Sequence, residues 1–200
     1  MHVYLVDDED VIRRSLGVML KLAGHDCVGF GSGAELFAEV ERLAPGCILL
    51  DVRMPDMDGL EVQRQLNLRG VTMPVVFMTG HGDIATAVTA LRGGASDFLE
   101  KPFERAALLA ALDRARLSQV NPAGYRELRT EASAALARLT DGERAVLDAL
   151  GHGLSNLAAA EALALEVAAV ESMRAALIGK LGGRTLAEAV RIAHLAGARR

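Results

Sequence analysis

Cys47-Ile48-Leu49-Leu50-Asp51-Val52-Arg53-Met54-Pro55-Asp56-Met57-Asp58-Gly59 is the stretch on which the fold turns. An apolar run meets an acid, and a turn bearing Pro and Gly follows at once. That is the signature of a strand buried on both faces, as in a parallel sheet, with a loop and helix after it. Working outward, the same figure recurs. Val3-Tyr4-Leu5-Val6 runs into Asp7-Asp8, Val75-Val76-Phe77-Met78 into Thr79, and Phe98-Leu99 into Glu100-Lys101.

Helical periods fill the gaps. Ile12, Leu16, Met19, Leu20 and Ala23 fall on one face before Gly24 stops the helix. Cys27 to Phe30 reads as the second strand, and Ser32 with Glu35 as a capping box for a helix through Leu36, Phe37, Val40 and Leu43. Gly59 to Leu66, Asp83 to Arg92 and Glu104 to about Leu117 complete the set. Residues 1–117 therefore predict a doubly wound five-stranded parallel α/β sheet. Ligands of such sheets bind beyond the carboxyl ends of the strands, so Asp7, Asp8, Asp51, Thr79 and Lys101 converge on one pocket. Carboxylates from separate strands suit a hard divalent cation of the magnesium type. Asp51 is then the nucleophile toward a phosphoryl group, forming an aspartyl phosphate whose oxygens Lys101 and Thr79 bind.

Composition changes after residue 117. Residues 118–138, with Asn121-Pro122-Ala123-Gly124, read as a partly helical linker, and residues 139–200 as a small all-α domain. Thr140 with Glu143 and Thr185 with Glu188 form capping boxes, Ser155 is an N-cap, and the pattern of helix, short turn, helix is that of a helix-turn-helix. At 51% hydrophobic and only 4% aromatic, both cores must be aliphatic. No apolar run reaches the roughly 20 residues needed to span a bilayer, and Met1 leads straight into a strand, so the chain is read as cytoplasmic with no membrane partner. Cys27 and Cys47 lie in strands and read as buried free thiols. The Met54 to Gly59 loop reads as shape without chemistry, Pro fixing φ and Gly59 supplying φ > 0, with Asp56 and Asp58 solvated.

Val6-Asp7-Asp8-Glu9, the Asp51 to Gly59 loop, Thr79-Gly80-His81-Gly82 and Glu100-Lys101-Pro102-Phe103 stand in the order and spacing of a two-component receiver domain, which residues 1–117 resemble. The resemblance implies a flavodoxin-like fold and a phosphoacceptor at Asp51. It also implies Mg2+ held by Asp7, Asp8, Asp51 and the Arg53 carbonyl, a switch of Thr79 and Phe98 whose ring moves inward, and Lys101 on the phosphoryl group across a cis bond to Pro102. A histidine kinase is the implied donor and a homodimer the product of phosphorylation. No enzymatic turnover is implied beyond slow self-dephosphorylation, and His81, an isolated imidazole on a Gly-rich loop, stays outside the site.

From Leu139 on, Leu139-Thr140-Asp141-Gly142-Glu143-Arg144, Gly153-Leu154-Ser155-Asn156, Val170-Glu171-Ser172-Met173-Arg174 and Lys180-Leu181-Gly182 resemble the NarL/LuxR effector domain, and the whole chain is similar to FixJ-type regulators. Promoter DNA is the implied partner, with Glu171, Ser172, Arg174, Ala175, Lys180 and Arg184 as contact residues. Where the family places Lys-Glu-Ile-Ala after Ser-Asn, this chain has Leu157-Ala158-Ala159-Ala160. Residues 131–200 balance eight Lys and Arg against eight Asp and Glu, so the domain offers little phosphate neutralisation. The alternative expectation is a phosphorylation-dependent interaction or dimerisation switch working through apolar helices such as Leu186 to Ala193.

Overall fold

A computed structural model describes residues 1–80 and 84–197, which fall into two compact units, residues 1–80 with 89–121 and residues 84–88 with 122–197. In the first, β1 (His2–Val6), β2 (Asp26–Phe30), β3 (Gly46–Asp51), β4 (Val75–Thr79) and β5 (Asp97–Glu100) form one parallel sheet in the order β2-β1-β3-β4-β5. Its helices are α1 (Asp10–Leu22), α2 (Gly33–Glu39), α3 (Gly59–Leu68) and α5 (Arg105–Val120), with the end of α4 (Ile84–Arg92) from Thr89 on. Side chains alternate across a strand. Val3, Leu5, Leu49, Val76 and Met78 accordingly share one core with Leu16 and Leu20 of α1 and with Leu108 and Leu112 of α5. Ile48, Leu50 and Phe77 are buried on the opposite face, as are Val62 and Leu66 of α3.

The second unit is all helical: α6 (Pro122–Ala137), α7 (Asp141–Gly151), α8 (Asn156–Leu163), α9 (Val167–Leu181) and α10 (Leu186–Gly197). Its core gathers Val146, Leu147 and Leu150 of α7, Val170, Leu177 and Leu181 of α9, and Leu186, Ala189 and Val190 of α10. Ser155 caps α8 by accepting from Ala158 N at 3.1 Å. Between α8 and α9 the chain turns through Ala164, a left-handed residue at φ 53°. No helix among the described residues is long and apolar enough to cross a membrane.

Four expectations need correcting. The stretch 118–138 is helix for most of its length: α5 runs on to Val120, and α6 starts at Pro122, where a proline loses nothing because the first helical N–H has no partner in any case. Its buried Ala132 and Ala135 take their place in the second unit, where α6 packs along α10, a partner no local pattern announces. Second, much of the apolar face assigned to α10 is turned into the unit: Leu186, Ala187, Ala189 and Val190 are buried, while Ile192 and Ala193 are half-buried. Third, of the expected capping boxes only Thr140 with Glu143 is reciprocal. Glu35 and Glu188 reach one residue further back, accepting from Gly31 N and Arg184 N at 2.6 Å each, while Ser32 and Thr185 still cap. Last, in the acceptor loop Asp56 holds the positive φ, at 67°. Gly59 is required for space, since a Cβ there would strike the Asp51 carbonyl oxygen. Asp58 caps α3 by accepting from Glu61 N at 2.8 Å.

Candidate functional site

Asp7 follows the last residue of β1, and its N–H donates to the Phe30 carbonyl at 3.2 Å, extending the β1–β2 ladder by one step. The side chain is fully buried; Oδ1 accepts from Glu9 N at 2.9 Å. Arg13 on α1 steadies the turn, donating from Nη1 to the Asp7 carbonyl at 2.6 Å and from Nη2 to Asp10 at 3.3 Å. Sequence reasoning passed over Arg13. Its placement one and a half turns into α1 from the acidic pair was the available signal.

Asp51 is the last residue of β3, a strand bonded on both sides and buried throughout. Its Oδ2 accepts from Arg53 N at 3.0 Å. Lys101 follows β5, its N–H bonded to the Thr79 carbonyl at 2.7 Å and its bond to Pro102 cis. Sheet geometry thus delivers three ends to one place. There Lys101 Nζ lies 2.9 Å from Asp7 Oδ2 and 2.6 Å from Asp51 Oδ1.

Two buried carboxylates share one ammonium, so the cluster carries an excess negative charge in a poorly solvated position. Burial pushes the Asp51 carboxyl above its ordinary value and the Asp7 charge adds to that, against the opposing pull of Lys101 and the Arg53 N–H. For Lys101, burial alone would lower the ammonium, but the hydrogen bonds and charges of Asp51 and Asp7 outweigh it and hold the group above its ordinary value. An all-oxygen anionic set suits a hard cation. Asp8 and Arg53 are exposed, and among the described residues no three His, Cys, Asp or Glu side chains are gathered as a ready metal cage. The donors already brought together are Asp7 and Asp51.

Thr79 is buried at the end of β4, its hydroxyl 3.5 Å from the Gly80 carbonyl. Phe98, opposite Phe77 in the β4–β5 ladder, is only 5% exposed. His81 lies outside the described residues, as does Asp83.

In the second unit, α8 and α9 form the helix-turn-helix pair. Glu171, Ser172 and Ala175 are exposed on α9 and Arg174 is half-buried, while Val170, Leu177 and Leu181 face the core. Arg174 Nη1 donates to Asn156 Oδ1 at 3.4 Å, and Asn156 Nδ2 donates to Glu171 Oε1 at 3.5 Å. Lys180 differs from the expectation that placed it on DNA: Nζ lies 2.7 Å from both carboxylate oxygens of Glu143, and its carbonyl accepts from Arg138 Nη2 at 2.7 Å. Its charge is committed to the capping box of α7. Arg184 is exposed just past the end of α9.

Comparison with known proteins gives a consistent picture. Residues 3–113 match the response regulator receiver domain. The chain is 42% identical to the transcriptional regulatory protein FixJ of Azorhizobium caulinodans, over 98% of this chain and 92% of that protein. It is 35% identical to the tetrathionate response regulatory protein TtrR of Salmonella typhimurium, over 94% of this chain and 90% of that one. Among solved structures, full-length FixJ from B. japonicum aligns at a TM-score of 0.59 and 35% identity, covering 98% of this chain and 97% of the other.

Proposed function

Since this chain belongs to the response regulator family and is a two-component regulator of transcription, we propose that a histidine kinase phosphorylates it on Asp51. The observation that carries the assignment is the Lys101 ammonium set between the buried Asp7 and Asp51 carboxylates at the strand ends. An Asp51 carboxylate oxygen forms the new bond to phosphorus as the N–P bond of the kinase phosphohistidine breaks, the electron pair leaving with the imidazole. Asp51 is the better placed of the two carboxylates, because Asp7 is wholly enclosed while Asp51 keeps 7% of its surface exposed. Lys101, tethered through its backbone to Thr79, takes up the phosphoryl oxygens as its bond to Asp51 is released, and the Thr79 hydroxyl turns to donate to them.

Asp7, Asp8 and Asp51, with the Arg53 carbonyl, would hold Mg2+, which when bound offsets the charge of the incoming dianion. The chain is a phosphoacceptor; hydrolysis of the acyl phosphate resets it slowly. Phosphorylation favours a homodimer, whose paired α9 helices, with Glu171, Ser172, Arg174 and Ala175 outward and Arg184 at the end, address promoter DNA. Lys180 supports α9 in this scheme rather than touching phosphate. Intact-mass analysis with a phosphodonor and Mg2+ tests the assignment. One phosphoryl group per chain is expected, none with Asp51→Asn, and full incorporation in that variant refutes it.

A further inference from the structure

Resting on the reading of α9 as the DNA-recognition helix, we infer that Glu171, and neither cation of that helix, is its base-reading side chain, and that it reads a cytosine. The inference starts from which groups on α9 remain to face bases. The helix carries two cations, Arg174 and Lys180. Lys180 is held between the carboxylate oxygens of Glu143, and Arg174 is half-buried and directed to Asn156. The exposed positions of α9 are Ala168, Glu171, Ser172, Ala175, Ala176 and Gly179. Of these, only Glu171 combines a charge with reach; Asn156 touches it as well as Arg174, at 3.5 and 3.4 Å, and it is exposure that separates the two.

A carboxylate entering a groove lined by phosphates is repelled unless it meets a hydrogen-bond donor. The major-groove edges offer two amino donors, N4 of cytosine and N6 of adenine. On adenine the amino group stands between two acceptors, its own N7 and the thymine O4, which repel a second carboxylate oxygen; on cytosine it has an acceptor, the guanine O6, on one side only. Glu171 therefore selects cytosine. Flanking methyls of Ala168 and Ala175 supply apolar surface of the kind that meets a thymine methyl, and Ser172 accepts either partner.

The test is selection of random duplexes by the phosphorylated full-length chain, followed by titration of the enriched site and of single-pair variants with wild type, Glu171→Gln and Glu171→Ala. Wild type should lose about tenfold in affinity when the critical C·G pair is replaced. Glu171→Gln should transfer the preference to A·T at that position, because a glutamine amide matches N6 and N7 of adenine together, and Glu171→Ala should flatten it. The side chain is exposed, so unchanged circular dichroism and melting establish that the variants remain folded. An enriched site whose preferences are the same in all three proteins overturns the assignment of Glu171 and leaves the regulator reading intact. Failure to enrich any sequence with the phosphorylated chain overturns the DNA-recognition reading and this inference with it.

Discussion

Lys101 and Lys180 make similar contacts with different consequences. Each places Nζ within 3 Å of two carboxylate oxygens, Lys101 on Asp7 and Asp51, Lys180 on both oxygens of Glu143. In the helical unit the pair is one cation to one anion, and the anion has a second duty, since Glu143 Oε2 also accepts from Thr140 N at 2.8 Å. At the strand ends one cation serves two buried anions and the balance stays negative. A closed pair is scaffold; an under-compensated cluster is a site awaiting charge. The distances alone do not separate the two, and the charge count does.

The largest effect that bears on this contrast is expected from Lys101→Met. Removing one partner of a buried ion pair costs about 3 kcal/mol, because the remaining charges stay buried without compensation. Chemical denaturation in chelator should show that loss, and Mg2+ should restore more stability to the variant than it adds to wild type. Equal Mg2+ effects on both would remove the distinction between site and scaffold. Next comes Gly59→Ala, whose new methyl must displace the backbone of Asp51. A loss of about 2 kcal/mol is expected, in the range of overpacked cores, along with slower phosphorylation.

Glu143→Ala removes both the reciprocal cap and the Lys180 contact, and should cost the helical unit about 1 kcal/mol, the typical worth of a cap. Acid sharpens the comparison through its sign. The bonds from Lys180 and then Thr140 N hold the Glu143 carboxyl below its ordinary 4.5. Its contribution is therefore present above that value and lost as pH falls through the lowered folded-state value. The Asp51 carboxyl is raised above 3.8, chiefly by burial, so its ionisation costs stability at neutral pH, and that cost shrinks as pH falls through the raised value. Melting of wild type and Lys180→Met across this acid range should show a flatter profile for the variant; superimposable profiles would refute the role of Lys180. The smallest effect is a gain. Ala164→Gly relieves a left-handed alanine and should add about 1 kcal/mol, read from the denaturation midpoint.

Much of the first unit was legible because a parallel sheet writes itself in continuous apolar runs, and because strand ends in such a sheet collect on one side. Asp7, Asp51 and Lys101 could be brought together on paper from spacing alone. The steric need for Gly59 was not readable in that way, since it concerns a backbone group whose position follows only from the folded loop. In the second unit α6 was taken for a linker because its buried face is made of alanines, which carry little hydrophobic signal until α10 is laid against them. The Lys180–Glu143 contact spans 37 residues and has no local signature; charge counting warned that cations were scarce without showing which one was already committed.

The setting of β3 bears on where a signal can travel. Flanked by β1 and β4 and closed off at its end by Gly59, the strand beneath Asp51 works as an anvil. Whatever strikes the carboxylate cannot be absorbed by recoil there. β5, by contrast, is four residues long and paired on one side only, and it is the strand that ends beside Thr79 and leads into Lys101.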